Sequence, residues 1–199
     1  LKWPGGKRKL AESILAELPV ADIYVEPFLG AGAVALLALH QNKYGSYLLS
    51  DADPDLIATW RAVQQDVDGV LAYLEALMGV MRTAHSNEAR ERMYYAIRED
   101  FRSQLGDDVA TAARLIVLNR FGYNGLYRKS AKSGFNVPFG KFSKDGAVTP
   151  YWRKKVNGIT DMAQWEAKLR AVSGLLNRVP VRFECCGFES IGVPRNAVG

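Results

Sequence analysis

Ile23-Tyr24-Val25-Glu26-Pro27-Phe28-Leu29-Gly30-Ala31-Gly32-Ala33-Val34-Ala35 runs from a short apolar strand through two spaced glycines into a helix that continues past Leu36, Leu37 and Leu39. Tyr47-Leu48-Leu49 makes the next strand and ends in Ser50-Asp51. Gly30-x-Gly32-x-x-Ala35 directly after a strand, with an acid closing the second strand, is the spacing of a βαβ unit built around a nucleotide-like ligand. Glycines let a ligand approach the backbone closely, a helix N-terminus favours negative charge, and an aspartate can accept from ribose hydroxyls. The pattern points to an α/β, Rossmann-like fold and an adenosine-containing cofactor. It does not separate NAD from S-adenosylmethionine, and a glycine turn needed only for tight helix–strand packing has the same spelling.

Outward from this unit, Ala11, Ile14, Leu15 and Leu18 repeat at helical spacing up to Pro19, behind an N-terminal loop at 2–7. Over 55–84, Leu56, Trp60, Val63, Val67, Val70, Leu71, Leu74, Leu77, Met78 and Met81 recur at helical spacing. Ala89, Met93, Ile97 and Phe101 form a second stripe, and Val109, Ala112, Ala113, Ile116 and Val117 a third. These stripes are read as core. Trp165, Leu169, Val172 and Leu176 predict a further helix, capped by Thr160 or Asp161, and 181–186 a strand. The expected organisation is a cofactor-binding domain over 1–54 and 159–199. A mostly helical subdomain is inserted over 55–158, with a mobile connection at 144–158.

At the end of the insert stands Asn119-Arg120-Phe121-Gly122-Tyr123-Asn124-Gly125-Leu126-Tyr127-Arg128-Lys129-Ser130, continued by Phe135-Asn136-Val137-Pro138-Phe139-Gly140-Lys141. From 120 to 155 there are nine Lys and Arg against one acid, Asp145, a net of +8 in a chain whose total is +5. Positive charge is concentrated here, and it is interleaved with aromatics, the footprint of a polyanion with bases to stack on. A solvated basic surface is the plainer reading of charge alone. The arrangement argues for more: Gly122 and Gly125 bracket Tyr123-Asn124, so a tight turn can hold out a flat ring beside an amide. Arms at 126–130 and 135–139 around Lys132-Ser133-Gly134 predict a hairpin carrying Arg128 and Lys129.

Composition removes other classes. The chain has 199 residues and 48% hydrophobic content, enough for one good core with a smaller subdomain. No apolar run is long enough to span a bilayer, so a cytoplasmic location is expected. Cys185 and Cys186 are adjacent, which argues against a disulfide framework, and His40 and His85 lack metal-ligand spacing.

Three blocks together resemble the Dam-type DNA adenine-N6 methyltransferases: Lys2-Trp3-Pro4-Gly5-Gly6-Lys7, Glu26-Pro27-Phe28-Leu29-Gly30-Ala31-Gly32-Ala33-Val34, and the 119–141 stretch, in the family's order. The resemblance implies S-adenosylmethionine as cofactor, S-adenosylhomocysteine as product and double-stranded DNA as partner, with no metal and a monomer in solution. Trp3 and Lys7 would line the cofactor site, Lys7 meeting the methionine carboxylate. Phe28, Gly30 and Gly32 would shape the loop beneath it, Asp51 would take the ribose hydroxyls, and Phe188 would pack on the adenine. Gly187 stands where the family more often has a polar residue. Tyr123 would wedge into the base stack and Asn124 fill the space of a flipped adenine. Arg128 would read a guanine, with Leu126 and Pro138 against neighbouring bases. Lys2 would reach a base or phosphate, and Lys129, Lys132, Lys141 and Lys144 the backbone. The family's usual site is G-A-T-C, and the sequence leaves repair, restriction-modification and phage protection open as its role.

The family's catalytic D-P-P-Y follows a strand beyond Phe188, and this sequence does not contain it. Asp53-Pro54-Asp55 lacks the Pro-Tyr and lies elsewhere in the order. No residue is therefore named as catalytic, and the sequence is expected to be part of a longer enzyme. The alternative is a DNA-binding protein that keeps the fold without the chemistry.

Overall fold

The computed structural model describes residues 1, 3, 5–84, 86–140, 162–192 and 197–198. Lys2, Lys141, Lys144, the 144–158 connection and the caps Thr160 and Asp161 lie outside the described residues.

The βαβ unit folds as its spacing predicts. Strand β1 (Ile23–Glu26) leads through the glycine turn into α2 (Ala33–His40) and returns as β2 (Ser46–Asp51), parallel to β1 with Tyr24 opposite Tyr47 and Glu26 opposite Leu49. Before it, α1 (Ala11–Glu17) stops at Leu18, whose extended backbone is the conformation a following proline imposes. Strand β5 (Val181–Cys185) pairs with β2, and β6 (Ala197–Val198) pairs with the other edge of β1, giving the parallel order β5-β2-β1-β6. Strand β6 is two residues long, too short for any periodicity in the sequence. Chain order runs outward on one side of β1 and resumes on the other. The crevice beyond the carboxyl ends of β1 and β6 is thus a topological switch point, where open α/β sheets bind ligands.

Between β2 and β5 come α3 (Pro54–Gln65), α4 (Val67–Thr83), α5 (Asn87–Arg102), α6 (Asp108–Phe121) and, after a small hairpin, α7 (Met162–Leu176). The run expected over 55–84 is two helices. Asp66 has φ −145° and ψ 64° and its carboxylate accepts from the Gly69 N–H at 2.8 Å, ending one helix and capping the next. Asp53, Ser86 and Asp107 cap α3, α5 and α6 in the same way.

Two cores result. Tyr24, Tyr47, Leu49 and Phe183 of the sheet share one with Val34 and Ala38 of α2 and with Leu56, Ile57, Trp60 and Val63 of α3. The other joins Val70, Leu74 and Met78 of α4, Tyr94, Ile97 and Phe101 of α5, and most of α6 with Phe135, Val137 and Phe139. Helix α6 is buried nearly all round, from Ala110 to Phe121, as expected of a helix apolar on every face. Helix α3 contributes to both cores through Ala62 on one side and Trp60 on the other.

The hairpin is shorter than its sequence predicts. Only β3 (Lys129–Ser130) and β4 (Gly134–Phe135) form a ladder, with Lys129 opposite Phe135, and a separate bridge joins Gly122 to Phe139. The carbonyl that the ladder would use next, Asn136 O, accepts instead from the Arg128 side chain (Nη2, 3.3 Å), and side chains of α5 hold the carbonyls that point away from the first arm. Arg102 Nε donates to Phe135 O at 2.7 Å, and Tyr94 Oη and Arg98 Nη1 donate to Val137 O at 3.0 and 3.3 Å. The second arm is thereby fastened to the helical core.

Candidate cofactor and nucleic-acid site

At the carboxyl end of β1 the chain turns through Gly30 (φ 49°) and Gly32 (φ 66°), a left-handed backbone that glycine adopts without strain. The Gly30 N–H donates to Asp51 Oδ2 at 3.0 Å and the Asp53 N–H to Asp51 Oδ1 at 3.1 Å, so two backbone groups fix the carboxylate at the end of β2. Each oxygen keeps a lone pair for a ligand hydroxyl.

Two tryptophans wall the turn. A Cβ on Gly30 would stand 2.9 Å from Trp3 Nε1, and one on Gly32 would stand 2.8 Å from Trp60 Cη2. Trp60 Nε1 donates to Gly30 O at 3.0 Å, and the ring stacks on Phe183 with centroids 6.1 Å apart. Sequence periodicity assigned Trp60 to the core, which is correct for the ring. Its N–H, which holds the turn, had no signal in the apolar pattern.

Beside the turn, Phe28 and Phe188 are 70% and 61% exposed with ring centroids 5.4 Å apart. Two large apolar rings left together in water make an exposed apolar patch, the kind of surface that marks a binding site. Phe188 lies past β5 and Phe28 past β1, so the fold brings two of the expected cofactor residues together. Lys7 is exposed and donates from Nζ to Gly5 O at 2.8 Å.

Glu26, which ends β1 beneath this loop, accepts from Tyr24 Oη at 2.9 Å. Burial pushes its carboxyl up to about 7.

On the basic segment, Tyr123, Asn124, Leu126, Arg128, Lys132 and Pro138 are all exposed. Tyr123 and Asn124 occupy a single 3-10 turn, Tyr123–Gly125, with Asn124 at φ 51°, a conformation asparagine tolerates better than most residues. Asn119 Nδ2 donates to Gly125 O at 3.0 Å and the Tyr123 N–H to Pro138 O at 2.9 Å, so the turn is held from beneath while its side chains face water. Arg128 Nε donates to Asn136 Oδ1 at 2.6 Å across the hairpin.

Lys129 departs from its expected role. Its Nζ lies 2.7 Å from Asp53 Oδ1 and 2.6 Å from Asp55 Oδ2, turned inward where a backbone phosphate contact requires a free ammonium. Tyr127 is turned the same way: its hydroxyl donates to Asp53 Oδ2 at 2.7 Å, and its ring stacks on Trp3 at 4.6 Å and 25°. Asp53-Pro54-Asp55 thus caps α3 and anchors the hairpin. Among the described residues no helix is long and apolar enough to cross a membrane, and no group of His, Cys, Asp or Glu could hold a metal ion.

Residues 3–172 match the family model of D12 class N6 adenine-specific DNA methyltransferases. The type II methyltransferase M.MjaIII of Methanocaldococcus jannaschii is 36% identical over 150 residues, which cover 71% of this chain and 52% of that protein. The DNA adenine methylase of Vibrio cholerae is 39% identical over 144 residues, 72% of this chain and 48% of its own. That of Escherichia coli K12 is 38% identical over 144 residues, with the same coverage, 72% and 48%. The chain spans about half the length of the relatives it matches. The match takes in the glycine turn, Asp51, the helical core and the exposed residues of the hairpin, and the chain belongs to the D12 class N6 adenine-specific DNA methyltransferase family.

Proposed function

We propose that this chain is the cofactor- and DNA-recognition part of an enzyme that methylates the N6 amino group of a flipped adenine in duplex DNA, within GATC. The observation that carries the reading is the pairing, in one fold, of a glycine turn on a fixed Asp51 with an outward-facing Tyr123-Asn124 turn beside Arg128. S-adenosylmethionine, when bound, supplies the methyl group. The donor set fits it: Asp51 for the ribose hydroxyls, Phe28 and Phe188 for the adenine, the Gly30–Gly32 backbone for close approach, and Lys7 for the carboxylate. Tyr123 wedges into the base stack and Asn124 fills the space of the extruded adenine, offsetting an unstacking cost of a few kcal/mol. The chain's own contribution is orientation and exclusion of water, not covalent chemistry. In this reading residues 1–54 and 159–199 hold the cofactor and 55–158 recognise DNA, with α3 packed between them.

Calorimetry with S-adenosylhomocysteine and with NAD tests the cofactor. Binding of the first and none of the second is expected, and Asp51→Ala should weaken it by about 1–3 kcal/mol through loss of a partly buried acceptor. Tighter binding of NAD would exclude a methyltransferase site.

Arg128 separates reading from holding. A bidentate arginine–guanine pair discriminates by about 1–3 kcal/mol, whereas a phosphate contact lowers affinity on every sequence alike. Arg128→Ala should narrow the gap between a GATC duplex and a one-base variant by that amount in anisotropy titrations. A uniform loss with the gap intact would mean that Arg128 only adds charge or holds Asn136.

A further inference from the structure

Along 126–129 the side chains alternate. Leu126 and Arg128 are exposed, while Tyr127 and Lys129 turn inward, as an extended segment's period of two requires. The inward pair meets the loop that follows β2. Tyr127 Oη and Lys129 Nζ both lie 2.7 Å from Asp53 carboxylate oxygens, and Lys129 reaches Asp55 as well, at 2.6 Å. The side chains of Lys129, Asp53 and Asp55 keep 28%, 18% and 11% of their exposure, so these are desolvated ion pairs rather than surface ones. From Asp53 the contacts continue. Its N–H donates to Asp51, Asp51 accepts from the Gly30 N–H, Gly30 abuts the Trp3 indole, and Trp3 stacks back on Tyr127. The ring is closed, with the cofactor turn at one end and the hairpin at the other.

We propose that Tyr127 and Lys129 are positioning residues that lock the hairpin's stem to the cofactor loop, so that duplex DNA and cofactor bind with coupled affinities. The inference rests on the function proposed above. Leu126 and Arg128 cannot shift along DNA without moving Tyr127 and Lys129, whose backbone they share. Those two cannot move without releasing Asp53, whose N–H orients Asp51. A ligand that settles either end stiffens the same bonds, and the second ligand then meets a site already ordered. The effect is reciprocal by linkage.

The test measures the S-adenosylhomocysteine Kd by calorimetry with and without a saturating GATC duplex, and the duplex Kd by anisotropy with and without saturating S-adenosylhomocysteine. In the unmodified chain each ligand should tighten the other by the same factor, about tenfold, within the usual range of such couplings. Tyr127→Phe keeps the ring on Trp3 and should cut the factor to about threefold. Lys129→Met should bring it to about one while the salt slope of duplex binding stays unchanged. Lys132→Ala, at the exposed tip, should do the reverse, flattening the slope by about one unit and keeping the coupling. A purely structural role would lower the melting temperature of the Tyr127 and Lys129 variants without altering the factor, and that result overturns the proposal. So does a flatter salt slope in Lys129→Met, which would make it a phosphate contact. Independent binding of both ligands to the unmodified chain removes the lock and leaves the function standing, whereas failure of either ligand to bind removes the function too.

Discussion

Gly32→Ala is expected to lower folding stability by roughly 2–5 kcal/mol, a large share of what a domain of this size possesses. Two costs combine. At φ 66° an alanine sits in left-handed backbone, which costs about 1–2 kcal/mol for an L side chain. The new Cβ would also stand 2.8 Å from Cζ2 and Cη2 of Trp60. That ring cannot swing away freely, because Trp60 is buried, stacks on Phe183 at 17° and donates to Gly30 O at 3.0 Å. Overpacking a fixed ring costs about 1–3 kcal/mol more. Urea denaturation of both proteins at equal m-value measures the loss. The double variant Gly32→Ala, Trp60→Phe should lose less than the two single changes together, since the shorter ring opens space for the methyl. A loss below about 1 kcal/mol for Gly32→Ala alone would mean that the turn refolds around the new side chain.

That prediction depends on a residue whose role the sequence half conceals. The glycine spacing states that the backbone must come close to something, and in the structure one such neighbour is Trp60. Close packing accounts for both glycines: Gly32 lies against Trp60 and Gly30 against Trp3, while the Gly30 N–H is spent on Asp51. The βαβ unit was legible as two short apolar runs around a glycine turn, and the helical stripes because each repeats over a full element with a period of 3.6. The break at Asp66 was not, since one non-helical residue inside an apolar stripe leaves the periodicity almost intact. Hairpin length escaped for another reason. Alternation predicts which side chains face inward, and Phe135, Val137 and Phe139 are all buried as it requires. It says nothing about where pairing stops, with the Asn136 carbonyl taken by the Arg128 side chain and the outward carbonyls held by Arg98, Arg102 and Tyr94 of a helix far off in sequence.

The site divides along the same line. Exposed residues of the hairpin, Tyr123, Asn124, Leu126 and Arg128, stand where their types and the bracketing glycines indicated. Lys129 does not, because a lysine beside an arginine reads as one more cation until its partners are known. Those partners, Asp53 and Asp55, are more than 70 residues away, in a tripeptide that carries no motif of its own. Long-range ion pairs between single residues leave no periodic trace. They are found only when the fold sets the two loops side by side.

Glu26→Gln is expected to raise stability at pH 8 and to leave it nearly unchanged at pH 4. Burial at the carboxyl end of β1 raises the carboxyl from an ordinary 4.5 to about 7, against the opposing help of the Tyr24 hydroxyl and the Ala35 N–H. The sign follows from proton counting. Between pH 4.5 and 7 the folded chain holds this proton while the unfolded chain has released it, so stability falls as pH rises through that window. A displacement of this size corresponds to roughly 3 kcal/mol, complete above pH 7. Glutamine has nearly the same shape and keeps an oxygen for the 2.9 Å bond from Tyr24 Oη, whose own proton is retained because burial and Glu26 both raise its pKa. It does not titrate. The variant's advantage over the wild type should therefore grow by roughly 3 kcal/mol from pH 4 to pH 8 in urea denaturation, every other ionisation being common to both proteins and cancelling. A gap that stays constant with pH would mean that Glu26 titrates alike in the folded and unfolded chain, with water reaching it from the crevice beside the glycine turn. In that case the acid belongs to the open floor of that crevice and not to the core beneath it.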